Sequence, residues 1–202
     1  MSDNHHHHEH EHEHDHHDHV PVEYADAIRG FREDKDDYFR TGAGSPLPPA
    51  DRAGFGGLAY FDVDESLVFE GLTLEPYAGN EPARFSIPTS DNRLRPAARA
   101  GTLRFKVGSV PCSLTAYTFE GSSSTSVFVP FLDGTTGIET YGAGRYLDIE
   151  PEDDGTYTVD FNLAYHPSCV YDMRFSCPLT PAENRLPVRI EAGERLAEDH
   201  AA

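Results

Sequence analysis

The chain has 202 residues and carries 35 Asp plus Glu against 16 Lys plus Arg, a formal net charge of −19. A field of that sign repels DNA, RNA and anionic lipid, and no apolar run approaches the roughly 18 residues a bilayer span needs, so nucleic acid and membrane are excluded as partners. Three cysteines are too few for a disulfide scaffold.

Only Lys35 and Lys106 are lysines. An acid-rich, lysine-poor surface suits a protein kept soluble in high salt, where repulsion between carboxylates is screened. That points to a halophilic origin, and full stability in dilute buffer would rule it out. The N-terminus lacks the basic start and apolar stretch of a signal peptide, which places the expectation in the cytoplasm.

Residues 1–19 read MSDNHHHHEHEHEHDHHDH and offer nothing that buries apolar surface, so they are expected to be a disordered His/acid-rich tail. A single β-rich domain is expected over 20–196, followed by a disordered C-terminus over 197–202. Residues 21–41 predict a helix. Tyr24, Ile28, Phe31, Lys35 and Tyr38 recur at helical spacing with Phe39 beside them, Pro21 and Glu23 suit a first turn, and Gly42 suits the stop. Residues 42–57, rich in Gly and Pro, predict a loop. Short extended runs then follow between turn residues: Leu58–Phe61, Leu67–Leu74, Ala83–Ile87, Gly101–Val107, Cys112–Phe119, Ser126–Phe131, Arg145–Ile149, Thr156–Phe161, Cys169–Phe175 and Pro187–Ile190. The alternation in Thr102-Leu103-Arg104-Phe105-Lys106-Val107 and the turn pairs Gly108-Ser109, Asp133-Gly134 and Asp154-Gly155 argue antiparallel hairpins. No helical pattern separates the runs. The expected fold class is mainly β, an antiparallel barrel or sandwich with one N-terminal helix packed on it.

Several segments, taken in order, resemble a known family. They are Phe31-Arg32-Glu33-Asp34-Lys35-Asp36 with Phe39, Ser45-Pro46-Leu47, Gly57-Leu58 with Tyr60-Phe61, and Val129-Pro130-Phe131-Leu132-Asp133. Further on come Glu139-Thr140-Tyr141-Gly142-Ala143-Gly144-Arg145-Tyr146-Leu147, then Asp160-Phe161-Asn162, Ala164-Tyr165, Pro167, Cys169, Tyr171, Cys177-Pro178, Glu183-Asn184 and Ala192-Gly193-Glu194. Together they look like a prokaryotic family catalogued only as a domain of unknown function, over roughly residues 24–195. The resemblance brings no activity with it. His166 stands where relatives are expected to carry Asn, so a site built on His166 would not be a family trait.

Three groups of residues carry chemistry. In the tail, His5, His6, His7, His8, His10, His12, His14, His16, His17 and His19 interleave with carboxylates. Neutral imidazoles and carboxylates ligate Zn, Ni or Cu, so a divalent transition metal is an expected partner, with storage or delivery as one purpose and a solubilising tail as the other. The form His8-Glu9-x-x-His12 imitates a metalloprotease motif, but nothing apolar nearby would hold it on a packed helix. Second, Cys169 and Cys177 lie near His166; a metal site, a redox pair, a nucleophilic Cys169 and plain buried thiols all fit that spacing. Third, Glu139, Tyr141, Arg145, Tyr146, Asp160, Asn162, Tyr165, Tyr171 and Asn184 concentrate polar groups in two segments, with Asp133 beside them. Arg145 suits bidentate capture of an anion, and Asp160 or Glu139 suits a general base. The same residue types also tie turns and buttress loops. The function expected is binding of a small, anionic ligand in a Tyr/Arg-lined pocket with no cofactor in the core. The alternatives are a metal-independent hydrolase or isomerase built on Arg145 and a carboxylate base, and a metal-handling protein acting through its tail.

Overall fold

The structure is a computed structural model that describes residues 22–122 and 124–197. The histidine tail and its expected metal ligands, the expected disorder of both ends and the first helical residue Pro21 lie outside the described residues.

Helix α1 spans Val22–Thr41. Ile28 and Phe39 are its buried apolar residues, while Phe31 and Tyr38 stand 44% and 48% exposed. The inward stripe is therefore rotated from the expected one, and Arg32 and Asp36 point in with it. Their polar tips meet chain that would otherwise lack partners: Arg32 donates to the Phe61 carbonyl at 3.0 Å, and the Leu58 N–H donates to Asp36 at 3.0 Å. Phe39 wedges between the rings of Phe55 and Tyr171, at 5.8 and 4.9 Å between centroids.

The strands are β1 (Ala59–Tyr60), β2 (Val68–Leu72), β3 (Arg84–Pro88), β4 (Leu94–Val107), β5 (Val110–Phe119), β6 (Val127–Phe131), β7 (Arg145–Ile149), β8 (Tyr157–Asp160) and β9 (Glu194–Arg195). Strands β3-β4-β5-β6-β7 form a five-stranded antiparallel meander, while β2–β8 and β1–β9 are separate antiparallel pairs. The sheets do not close into a barrel, so the sandwich of the two expected forms, with the helix packed on it, is the observed one. The β4–β5 hairpin turns on Gly108-Ser109, with φ +57° at Gly108, the left-handed value a two-residue turn needs at its first position.

Side-chain alternation gives the meander two apolar faces. Leu103, Phe105, Leu114, Val129 and Leu147 face the main core, covered by the β2–β8 ribbon through Phe69 and Val159 and by Phe161 on the turn that follows. Phe69 lies 4.6 Å from Phe105, and Phe161 lies 5.1 Å from Phe131. Tyr117, Phe128 and Tyr146 build a smaller cluster on the other face with Phe85, Phe119 and Tyr165.

Two expected strands are not strands. In Cys169–Phe175 the Ser168 carbonyl accepts the N–H groups of Tyr171 and Asp172, and the Asp172 side chain takes the Arg174 N–H, so local turn bonds override an alternating pattern. Pro187–Ile190 bends at Pro187-Val188, and its bonds go to the Gly134 N–H and to the side chains of Asp133 and Arg145. Strand β9 was not expected. It is set by Gly193 at φ +75°, where a Cβ would lie 2.5 Å from the Ala164 carbonyl oxygen.

Candidate functional site

Between α1, β7, β8 and the turn after β8 lies a cavity of about 600 Å³. Phe31, Tyr38 and Phe39 line it from the helix, Leu147 and Ile149 form its floor, and Leu163 closes one side. Polar groups gather in the same cavity: Asp34, Lys35, Asp148, Asp160, Tyr165, His166 and Ser168. The exposed Phe31, Tyr38 and Leu163 are its apolar rim, which explains why the helix leaves two aromatic side chains uncovered.

Lys35 is held in a buried ion pair. Its Nζ lies 2.6 Å from Glu194 Oε1 and 4.8 Å over the Tyr165 ring. Glu194 is 1% exposed. Its Oε2 accepts the His166 N–H at 2.6 Å and the Tyr171 hydroxyl at 3.1 Å, and its backbone N–H reaches the Ala164 carbonyl at 2.8 Å. One carboxylate thus joins the helix, β9 and the turn that carries Tyr165 to Ser168. The His166 Nδ1 sits 3.6 Å from Glu194 Oε2, yet the ring is not a cation. Burial, then the charges of Arg145 and Lys35, push its pKa down to about 3. As a neutral ring it accepts the Tyr141 N–H at 3.3 Å on Nε2.

A second cavity of about 570 Å³ opens on the other face of the sheet and shares Asp148, Tyr165 and Ser168 with the first. Tyr117, Phe128 and Tyr146 line it, with Arg95, Ser122, Ser124 and Ser126 around them and Cys177 also in the wall. Tyr165 divides the two spaces. Burial and the neighbouring Asp148 carboxylate raise its pKa, so it keeps its proton and donates to Asp148 Oδ2.

The residues singled out from the sequence separate into three places. Tyr165 lines both cavities, Asp160 the first and Tyr146 the second. Tyr141, Cys169 and Tyr171 sit half-buried behind the turn between them. Arg145, Asn162, Asn184 and Glu139 lie elsewhere. Arg145 is fully buried and donates to the carbonyls of Ile190, Ala192 and Glu194, with Asp133 at 3.5 Å. It lines neither cavity, so the anion preference expected from it has no carrier there. Asn184 bridges Thr115 and Pro130 with three bonds of 2.7–2.8 Å, spanning β5 and β6 beside Pro130, which has no N–H to give a ladder. Asn162 ties the Asp64 backbone to Tyr24 and Asp160. Asp160 itself accepts the Tyr24 hydroxyl at 2.7 Å and the Asn162 N–H at 2.8 Å, and Glu139 pairs with Arg189 at the surface. Both carboxylates considered as general bases are occupied by protein donors.

The family described as Protein of unknown function (DUF1684) matches residues 53–195. The chain belongs to that family. An uncharacterized protein of Haloarcula marismortui, solved in solution by NMR, is 37% identical, with 88% of this chain and 97% of that one covered and a TM-score of 0.65. No curated protein matches.

For this DUF1684 chain, the residues that sequence reasoning missed as site components are Lys35, Glu194 and Asp148. Lys35 looked like a stem covering a core position, and its partner is 159 positions away in sequence, beyond any local pattern. His166 has a measurable consequence. Its folded pKa of about 3 lies below the ordinary 6.5, so the unfolded chain takes up the proton first. The stability that neutral His166 contributes is complete above pH 6.5 and is lost as pH falls toward 3, about 5 kcal/mol over that window. Denaturant titrations of the native chain and His166→Asn at several pH values are expected to diverge below pH 6.5, with the variant losing less. Parallel curves would contradict it.

Proposed function

We propose that the protein binds a small amphipathic molecule in the cavity between α1 and β7–β8, and that the bound end carries an amine. The observation that carries this reading is the coincidence, in one concave space, of an apolar floor with a few convergent polar groups, the composition of a ligand site. The charge follows from the lining. Lys35 is neutralised by Glu194 at 2.6 Å, which leaves the carboxylates of Asp34, Asp148 and Asp160 to set the sign. The aromatic rings of Phe31 and Tyr38 suit a cation as well as an apolar body.

Matched probes test this. Phenethylamine and longer alkylamines are expected to raise the melting temperature saturably, whereas phenylacetate and the matching carboxylates leave it unchanged. Leu163→Trp, which fills the cavity from its rim, abolishes the response. A carboxylate preference, or binding that survives Leu163→Trp, contradicts the reading.

The His-rich tail is a separate element, proposed to take up Zn, Ni or Cu through its ten imidazoles. Calorimetric zinc titration is expected to show binding that disappears when residues 1–19 are removed. Undiminished binding without them would refute it.

A further inference from the structure

We propose that Cys169 and Cys177 form a reactive dithiol, with Cys169 the nucleophile and Cys177 the resolving thiol, and that it exchanges with small aliphatic disulfides. The two lie eight residues apart, on the short turn Ser168–Val170 and on the segment that returns past Ser90. The Cys169 N–H donates to Cys177 Sγ at 3.3 Å, which brings the second sulfur against the Cys169 backbone. Cys177 is held from the other side by the chain following β3: its N–H donates to Ser90 Oγ at 3.1 Å, and its carbonyl accepts the Ser90 N–H at 2.8 Å. Cys177 is buried, whereas Cys169 is half-buried and so the more reachable of the pair. Two sulfurs fall short of the four ligands of a structural zinc site, and among the described residues no third His, Cys, Asp or Glu joins them.

The surroundings assign the roles. The neighbouring Cys177 thiol first, then the Ser90 and Tyr141 hydroxyls, favour the charged Cys169 sulfur more than burial opposes it, and lower its pKa to about 6. Cys177, beside that thiolate, moves in the opposite direction and stays protonated. A thiolate beside a protonated thiol is the arrangement that disulfide exchange uses.

The chemistry balances with an external disulfide as the oxidant. The Cys169 thiolate attacks one sulfur; the external S–S bond breaks, one half leaves as a thiolate and a mixed disulfide forms on Cys169. Cys177 then gives its proton to solvent and attacks the Cys169 sulfur, expelling the second half as a thiolate. Two protein thiols are oxidised to one disulfide, and the external disulfide is reduced to two thiols. Excess small thiol reverses both steps.

The full chain, oxidised glutathione and iodoacetamide test this, with each cysteine read by mass spectrometry. Alkylation at Cys169 is expected to titrate with a midpoint near pH 6, against about 8.5 for an ordinary thiol. The midpoint decides rather than the rate. At pH 7 a roughly thirtyfold gain in thiolate is largely offset by the weaker nucleophilicity of a low-pKa sulfur. Oxidised glutathione is expected to yield a Cys169–Cys177 disulfide that reduced glutathione reopens. Cys177→Ser stops at glutathionylated Cys169, Tyr141→Phe moves the midpoint upward, and Cys112→Ser changes nothing. A Cys169 midpoint near 8.5, or glutathione mixed disulfides on the native chain with no internal bond, overturns the proposal. Should Cys177→Ser fail to fold, the native midpoint and the mapped disulfide still decide.

Discussion

Replacing Arg145 with methionine is expected to destabilise the fold by about 3–5 kcal/mol, the loss that follows when one partner of a buried charged network is removed. The guanidinium is fully buried and gathers the Ile190, Ala192 and Glu194 carbonyls onto the end of β7. Methionine leaves those three acceptors and the 1%-exposed Asp133 side chain without their donor. Asp133 keeps its own bonds from Thr135 and the Ile190 N–H, so the damage concentrates on β9 and loosens Glu194. Arg145→Lys is expected to recover only part, because an ammonium cannot address carbonyls in the spread the planar fork reaches. Urea denaturation measures both. A loss under about 1 kcal/mol in Arg145→Met would refute the clamp.

Glu194→Gln is expected to cost about 3 kcal/mol. The amide leaves the Lys35 ammonium, only 18% exposed in its side chain, without a counter-charge, and it weakens the acceptor for His166 and Tyr171. Lys35→Met combined with Glu194→Leu is expected to be milder than the sum of the single changes, since removing both charges leaves neither stranded. The substitution has a functional side. Freeing Lys35 shifts the cavity toward positive charge, so Glu194→Gln is expected to gain affinity for phenylacetate at the expense of phenethylamine. Additive stabilities in the cycle, or an unchanged preference, would show that Lys35 and Glu194 do not set the charge of the site.

The parts of the fold legible in the sequence are those with short-range causes. The extent of the helix, the Gly108-Ser109 turn and the alternation along β4 each follow from neighbours a few residues apart. The misplaced parts are governed by side chains that take over backbone bonding. Asp133 and Arg145 replace a strand partner for Val188–Ile190, Ser168 and Asp172 fold Cys169–Phe175 into a turn, and Asn184 bridges β5 to β6. The site follows the same division. Tyr165, Asp160 and Tyr146 were found because they are polar residues dense along the chain. Arg145 was found for the same reason, but its chemistry is spent inside the core. Lys35 and Glu194 escaped as a pair because one looked like a stem covering a core position and the other belonged to a short family segment with no assigned role, and only the packing of α1 on β9 brings them together.

The most direct test of the small-molecule site is an ¹⁵N-resolved NMR titration of the full chain with phenethylamine. The account predicts saturable shifts clustered on Lys35, Leu147–Ile149 and Tyr165–Ser168, which fade in Leu163→Trp. Shifts that fail to saturate, or that gather away from the α1–β7 cavity, would contradict it.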